Sequence, residues 1–499
     1  MCSQEFKKLK SGTDVRGVAV GDAITMTDEA VLAISRAFIK WLSLKYKKTR
    51  FKIAVGHDSR ISAERITEKV KEGILTSGSD VVHTGLSSTP SMFILLKKSN
   101  YKCDASIMIT ASHLPYDRNG LKFFTPEGGL DSDDIDQILE LAQNGEFLSG
   151  EGKYSEKPYM DEYSEILVKT VRTACGNEMP LEGKKIIVDA GNGAGGFFTE
   201  KVLIPLGADV EGSQFLEPDG TFPNHIPNPE DKQAIESLSK AVIAAKADLG
   251  IIFDTDVDRA GAVDASGKEI NRNRLIALIS AILMKEKSGV VVTDSVTSDG
   301  LTQFIECLGG FHLRFKRGYK NVIDKCKELN DTGAYSPLAM ETSGHAAFKE
   351  NYYLDDGAYL VTKILIALAE LKEGESLTDL ISTLPEPVES DEVRISFNDK
   401  SVDFRTEGQN VIDALAEKAA SLEGLKLADS NYEGVRINFA KDCGDGWLLV
   451  RMSVHDPVMP VNFESGTVGG NKLMAEKLLS LLKDYPFLNI DNLKKFIHN

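Results

Sequence analysis

The chain has 499 residues, of which 42% are hydrophobic and 27% charged, and its formal net charge is −17. That length exceeds what one core can organise and points to several domains, while the acidic balance argues against nucleic acid or an anionic membrane as the main partner. Six scattered cysteines (Cys2, Cys103, Cys175, Cys307, Cys326, Cys443) show no Cys-x-x-Cys, and no run approaches the roughly 18 apolar residues of a membrane span, so the expectation is a cytoplasmic protein with reduced thiols, with a trimmed organelle-targeting peptide left open.

In chain order, Ser11-Gly12-Thr13-Asp14-Val15-Arg16-Gly17 reads as a loop that presents Arg16, and Ala30 to Tyr46 reads as an amphipathic helix. A pattern then begins that recurs. F-K-I-A-V-G-H-D-S-R (51–60) is a short buried strand with a polar exit, followed by a helix to about Ser77, a strand over 79–85, a helix over Thr89 to Lys98, and a strand that ends at Ser112. The second pass runs from K-K-I-I-V-D-A-G-N-G (184–193) through a helix, a strand at 208–211, a helix over Asp231 to Lys246, and the strand D-L-G-I-I-F-D (248–254). The third runs from G-V-V-V-T-D-S-V (289–296) through 311–318 and a helix over Asn321 to Leu329, closing on Tyr335 to Met340. Strands alternating with helices predict parallel sheets with right-handed crossovers. After about Pro385 the texture changes to short period-two strands (391–397, 434–439, 447–453) with helices over Val411 to Glu423 and Gly470 to Leu482, a small antiparallel α+β pattern.

The third strand of each pass ends in chemistry. The first ends in Thr110-Ala111-Ser112-His113, after which Pro115 blocks simple helix continuation, Asn119-Gly120 signals a tight turn, and Leu121 to Phe124 reads as the returning strand. Ser112 thus stands at the carboxyl end of a buried strand, where open α/β sheets place ligands, with Lys122 across the turn to stabilise an anion or, if burial lowers its pKa, to move a proton. Ser112 taken alone reads equally well as a helix N-cap. The second pass ends in Asp254-Thr255-Asp256-Val257-Asp258-Arg259, three hard carboxylates at alternate positions that suit Mg²⁺, with Arg259 facing whatever anion the metal binds. The third ends in Glu341-Thr342-Ser343-Gly344-His345, hydrogen-bonding groups for vicinal sugar hydroxyls, preceded by R-G-Y-K (317–320), which offers Lys320 to an anion. In the last region Arg451, Ser453 and His455 leave a strand on alternate positions and form a phosphate cradle or a solvated strand end.

Gly191-Asn192-Gly193-Ala194-Gly195-Gly196 after a strand, with Glu211 further on, also fits a dinucleotide-binding fingerprint. That reading leaves the aspartate triplet and the hydroxyl-bearing loops without a role.

Together these stretches resemble the α-D-phosphohexomutase superfamily over nearly the whole chain, and the Thr342-Ser343-Gly344-His345 form is most similar to its phosphomannomutase/phosphoglucomutase members. Phe222-Pro223-Asn224-His225 and Asp355-Asp356-Gly357 match the same branch. The resemblance implies three related mixed or parallel α/β/α domains (1–156, 157–265 and 266–385) and a fourth, TATA-binding-protein-like α+β domain (386–499) around a central cleft. It implies interconversion of hexose 1-phosphate and hexose 6-phosphate, with mannose or glucose as the sugar, through a phosphorylated Ser112 and a hexose 1,6-bisphosphate. Mg²⁺ would sit on Ser112, Asp254, Asp256 and Asp258. Arg16, His113, Lys122, Arg259 and His345 would serve catalysis, and Lys320, Glu341, Ser343, Arg451, Ser453 and His455 would hold substrate. Expected partners are small sugar phosphates rather than nucleic acid or membrane, for a monomer or dimer. The sequence departs from the family pattern at Leu114-Pro115 (usually Asn-Pro), at His455-Asp456-Pro457 (commonly Thr-Glu-Pro or Asn-Glu-Pro) and at Met340 (usually Gly). Alternatives are a phosphoglucosamine mutase, a nicotinamide-dependent oxidoreductase using 191–196, and a non-catalytic sugar-phosphate sensor.

Overall fold

A computed structural model describes residues 5–398, 403–453 and 456–498. The chain forms two compact units, one from Met1–Asn271 with Ser343–Asp379, the other from Arg272–Thr342 with Leu380–Asn499.

In the first unit the helix Asp28–Tyr46 is capped by Thr27, which accepts from the Ala30 amide at 3.2 Å, and it buries Val31, Ile34, Phe38 and Leu42 at helical spacing. These side chains pack on a mixed sheet whose order is Lys10–Ser11, Asp14–Val18, Arg118–Thr125, Ala105–Ile109, Lys52–His57, Asp80–Leu86 and Tyr154–Glu156. Lys52–His57 lies between two parallel neighbours, which is why it reads as an unbroken apolar run. Arg118–Thr125 runs antiparallel to Ala105–Ile109 and to Asp14–Val18.

Asn119-Gly120, expected to be a tight turn, instead lies within the strand Arg118–Thr125. The reason is packing. A Cβ at Gly120 would stand 2.4 Å from the Val15 carbonyl oxygen and 2.8 Å from that of Thr110, so glycine here admits two neighbouring strands. The reversal falls earlier, at Pro115 to Asp117.

A second sheet joins Ile186–Asp189 in parallel to Leu249–Phe253, which pairs antiparallel with Ala260–Asp264. The strand expected at 208–211 is reduced to single bridges, Lys185 with Asp209 and Asp189 with Gln214. Asp209 turns its carboxylate onto the Glu211 amide at 2.9 Å, a local turn that competes with a ladder. The helix expected before it is three short segments, Ala194–Gly196, Thr199–Leu203 and Ile204–Leu206, and in the last of them Pro205 supplies no amide hydrogen to a regular α ladder.

The second unit holds a parallel set, Phe311–Arg314, Val290–Thr293 and Leu338–Met340, with helices Asn273–Met284, Asp299–Cys307 and Tyr319–Asp331. Its other part is a sheet of six antiparallel-paired strands in the order Leu425–Leu427, Val435–Phe439, Gly446–Val450, Val458–Ser465, Glu389–Phe397 and Leu488–Asn489. Helices Phe404–Ala420, Gly470–Leu482 and Asp491–His498 share one apolar core with it. The architecture is therefore α/β with a C-terminal α+β part, as the residue patterns lead one to expect. Among the described residues no helix is long and apolar enough to cross a membrane.

Candidate active site

Two strand exits meet in the first unit, and Ser343 to His345 lie in that unit with them. Ser112 follows Ala105–Ile109 in a left-handed conformation (φ 51°) that is uncommon for a residue with a side chain. Its amide donates to Thr110 Oγ1 at 2.9 Å, and its own Oγ donates to Asp254 Oδ2 at 3.0 Å while accepting from Arg259 Nη2 at 3.0 Å. His113 Nδ1 is 3.3 Å from the same Oγ. Residues more than 140 positions apart in sequence thus converge on one hydroxyl.

Asp254, Asp256 and Asp258 present carboxylate oxygens within 4.8 Å of one another, all buried. Asp254 also accepts from the Arg259 side chain at 3.0 and 3.1 Å. Lys122 Nζ donates to Asp256 Oδ2 at 3.0 Å and to Asp258 Oδ2 at 2.5 Å. Thr89, the first residue of the helix Thr89–Lys98, donates its hydroxyl to Asp256 Oδ2 at 2.5 Å. Asp256 Oδ1 and Asp258 Oδ1 remain buried without a hydrogen-bond partner. Buried carboxylate oxygens without a partner are costly, so this hard-oxygen set fits a divalent cation such as Mg²⁺.

The local charges divide the acids. Burial and the neighbouring Asp258 push the Asp254 carboxyl well above its ordinary range. For Asp258 burial acts in the same direction, but Lys122, His345 and Arg259 overcome it and hold the pKa below the usual value. Burial also opposes the charge on Lys122, yet Asp256 and Asp258 outweigh it and raise its pKa well above that of a free lysine. This is the reverse of the lowering that would ready Lys122 to move protons. Burial, then Arg259 and Arg16, push His113 down to about 3, and burial lowers His345 well below the imidazole range, so both rings are neutral near pH 7.

His345 Nε2 stands 3.8 Å from Asp258 Oδ1, and Ser343 Oγ lies 2.9 Å from His345 Nδ1. Arg16 pairs with Asp14 at 2.7 Å on the strand beside Gly120. The structure therefore brings Ser112, His113, Lys122, Arg16, Arg259, His345, Ser343 and the three aspartates into one unit.

The remaining expected residues lie in the second unit. Glu341 accepts from the Gly318 amide at 2.7 Å, and burial with Asp294 nearby pushes its carboxyl up to about 8. Arg451 is buried just past the strand Gly446–Val450, and burial, then the adjacent Arg317 guanidinium, lower its pKa. Ser453 accepts from the Asp456 amide at 3.3 Å, and His455 lies outside the described residues. Lys320 reaches Asp324 one turn along its own helix at 3.1 Å.

Sequence reasoning missed Arg317 and Glu433. Glu433 accepts from Ser295 Oγ at 2.5 Å and from the Arg317 amide at 3.0 Å. Its only sequence signal is an acidic residue before a Gly that opens a strand.

The glycine run serves packing rather than a dinucleotide. A Cβ at Gly193 would lie 2.8 Å from Thr255 Cα, one at Gly195 3.0 Å from the Phe253 ring, and one at Gly196 2.2 Å from the Leu216 carbonyl. The run lets the chain lie against the strand and loop that carry the aspartates, and no regular α-helix opens on it. The nicotinamide alternative loses its fingerprint.

Comparisons with known proteins agree with this geometry. The phosphoglucomutase/phosphomannomutase alpha/beta/alpha domain I model matches residues 7–149, domain II matches 157–267, and domain III matches 271–388. The phosphoglucomutase of Neisseria meningitidis serogroup A is 30% identical over 95% of this chain and 96% of its own length. The phosphomannomutase/phosphoglucomutase of Pseudomonas putida is 32% identical over 91% of this chain and 90% of its own. A solved phosphoglucomutase/phosphomannomutase family protein from Burkholderia thailandensis superposes with a TM-score of 0.81 at 27% identity, covering 98% of this chain and 99% of that one. With matches that run across most of the chain, and with Ser112, the aspartate loop and Arg259 gathered at one point, the protein belongs to the phosphoglucomutase/phosphomannomutase family.

Proposed function

We propose that the chain is a phosphohexomutase, an isomerase that interconverts hexose 1-phosphate and hexose 6-phosphate, with glucose, mannose or both as the sugar. Phosphorylated Ser112 gives its phosphoryl group to the free hydroxyl of a hexose monophosphate. The resulting 1,6-bisphosphate turns over in the site and returns its other phosphoryl group to Ser112. The observation that carries this reading is the Ser112 Oγ, 3.0 Å from both Asp254 and Arg259.

Phosphoryl transfer needs in-line positioning and charge neutralisation more than covalent assistance. Mg²⁺ bound by Asp254, Asp256, Asp258 and the Ser112 oxygen would supply a divalent positive charge beside the transferring group. The Arg259 guanidinium, already on Ser112 Oγ, holds the phosphoryl oxygens, and Arg16 adds charge from the strand beside Gly120. His113 and His345 stay neutral near pH 7 and weakly basic, so they serve as hydrogen-bond partners beside Ser112 Oγ and Asp258, while Lys122 acts as a fixed ammonium on Asp256 and Asp258. Glu341 and Ser343 grip sugar hydroxyls. Arg451, with Ser453 and Arg317, holds the phosphate that does not react, and Lys320 reaches an anion only by leaving Asp324. Among the described residues the cysteines form no disulfide, which fits a reducing, cytoplasmic setting.

The test is conversion of glucose, mannose and glucosamine 1-phosphates to the 6-phosphates with a trace of glucose 1,6-bisphosphate. Turnover of glucose or mannose phosphate is expected, with none in Ser112→Ala. Sustained turnover by Ser112→Ala would remove the phosphoserine route, and glucosamine phosphate as the sole substrate would move the reading to a phosphoglucosamine mutase.

A further inference from the structure

The strand Lys52–His57 exits into Asp58-Ser59-Arg60, and Arg60 reaches the loop that carries Ser112. Its guanidinium is fully buried. Nη2 donates to the Ser112 carbonyl at 2.5 Å and to the Leu114 carbonyl at 2.6 Å, while Nη1 donates to Pro115 at 2.7 Å and to Arg118 at 2.9 Å. Nε faces Asp58 Oδ2 at 3.3 Å, and the other Asp58 oxygen accepts the Arg60 amide at 3.0 Å. Two residues on, Ser62 Oγ accepts from Asn119 Nδ2 at 2.9 Å. One planar fork therefore engages four carbonyls of a single loop, and its orientation is set by a buried carboxylate.

The loop needs such a clamp. Ser112 is held at φ 51°, a conformation that costs a residue with a Cβ roughly 1–2 kcal/mol and persists only where its surroundings over-determine it. The hydrogen bonds of Oγ cannot do this alone, because that atom must let go of Asp254 and Arg259 geometry whenever it gains or loses a phosphoryl group. The contacts from Arg60 to this loop are all to backbone oxygens, which take no part in the transfer.

The second and third passes use the same position in a related way. Asp189, at the exit of Ile186–Asp189, is buried and faces His225 Nε2 at 3.0 Å, and Asp294, after Val290–Thr293, is buried and accepts from Thr342 Oγ1 at 2.9 Å. A buried acid at the exit of the first strand thus anchors a neighbouring loop in each pass. The third also has an arginine nearby, Arg317 Nε at 3.8 Å from Asp294, but in the first the guanidinium turns its fork onto the carbonyls of the catalytic loop.

We infer that Arg60, oriented by Asp58, is a positioning residue whose fork sets the left-handed turn at Ser112 and so the line along which Oγ gives and takes a phosphoryl group. This rests on Ser112 as the phosphoryl carrier. Arg60→Lys keeps a cation beside Asp58, but an ammonium has three donors and no fork, so it cannot span four carbonyls. In Arg60→Lys kcat is expected to fall on the order of 100-fold with KM for the sugar phosphate within about threefold, the split expected of misplaced chemistry. Phosphorylation of Ser112 by glucose 1,6-bisphosphate, followed by intact mass, is expected to slow by a similar factor. Because an unpaired buried charge can prevent folding, Asp58→Asn/Arg60→Met removes both charges together and is measured in the same way, per folded molecule. A purely structural role would lower the melting temperature of either variant and leave kcat per folded molecule unchanged, and that result would overturn the inference. Ser112→Ala run alongside separates the two claims: an inactive Ser112→Ala with a fully active Arg60→Lys sinks the clamp alone, whereas an active Ser112→Ala sinks the carrier reading.

Discussion

Lys122 Nζ sits 2.5 Å from Asp258 Oδ2, close enough to serve as the resident counter-charge of the acidic loop. The same ammonium touches Asp256 at 3.0 Å, so Lys122 partners two of the three clustered carboxylates, and Arg259 partners the third, Asp254. Charges buried at this depth are expensive when left alone, and Lys122 offsets part of that cost for Asp256 and Asp258.

Two outcomes follow for metal removal. Chelation of the wild-type protein is expected to end mutase turnover and leave the fold intact by circular dichroism. Lys122→Met strands two buried carboxylates and should cost about 3–5 kcal/mol in metal-free buffer, with a larger share recovered by millimolar Mg²⁺ than in wild type. Thermal melts with and without Mg²⁺ read the difference. Equal Mg²⁺-induced shifts in the two proteins would show that Lys122 does not balance the aspartates.

How much of this is legible in the sequence depends on what a residue touches. The buried strands are legible because both faces demand apolar residues, as in Ile251 to Phe253, and Asp254, Asp256 and Asp258 are legible because alternation at a strand exit is a pattern. Arg60 is not, since its partners are backbone carbonyls, and every residue has one. Arg317 is obscured by Lys320, which offers the same charge three positions later yet bonds within its own helix. Asn119-Gly120 misleads because the same dipeptide serves a tight turn or a close approach of strands, and only the neighbouring chain at Val15 decides which.

Asp356 gives a pH signature of folding. It caps the helix Gly357–Glu370 by accepting from the Tyr359 amide at 2.8 Å and also accepts from Tyr163 at 2.6 Å and Asn351 at 3.0 Å. Burial pushes its carboxyl up to about 6 from an ordinary 3.8, against the opposing effect of these donors. A raised acid favours the folded state at low pH. Its contribution is complete below about 3.8 and disappears as pH rises through about 6, a change on the order of 3 kcal/mol for a fully buried group. The stability of wild type relative to Asp356→Asn, from urea unfolding, should therefore fall by that amount between pH 4 and pH 7.5. Parallel stability curves would place the Asp356 pKa at its ordinary value.

Glu341 carries a corresponding signature in substrate binding. With its carboxyl at about 8, it is mainly neutral at pH 7 and ionises as pH rises, adding negative charge beside Asp294 and Glu433. If it lines the sugar site, KM for an anionic sugar phosphate should rise between pH 7 and pH 9, by severalfold given that close charges interact at about 1–4 kcal/mol between water and a protein surface. Glu341→Gln cannot ionise and should flatten that rise while retaining the Gly318 contact. A KM profile with the same slope in both proteins would remove Glu341 from the anion's surroundings.

Gly193 distinguishes a packing role from a nucleotide-binding role for the glycine run. A methyl group there would lie 2.8 Å from both the Cα and the carbonyl oxygen of Thr255, the residue between Asp254 and Asp256. Backbone cannot yield as a flexible side chain can, so Gly193→Ala should destabilise by about 1–3 kcal/mol and displace the aspartate loop. The effect should reach Mg²⁺ affinity, read by calorimetry with Mn²⁺ as a second probe, because three ligands move with Thr255. A nicotinamide dinucleotide titrated into wild type should give no saturable signal, since the amides of the run already face protein, as with Ala194 N on the Thr255 carbonyl at 2.8 Å. Saturable dinucleotide binding that Gly193→Ala abolishes, with metal affinity untouched, would return the run to the role its spacing imitates.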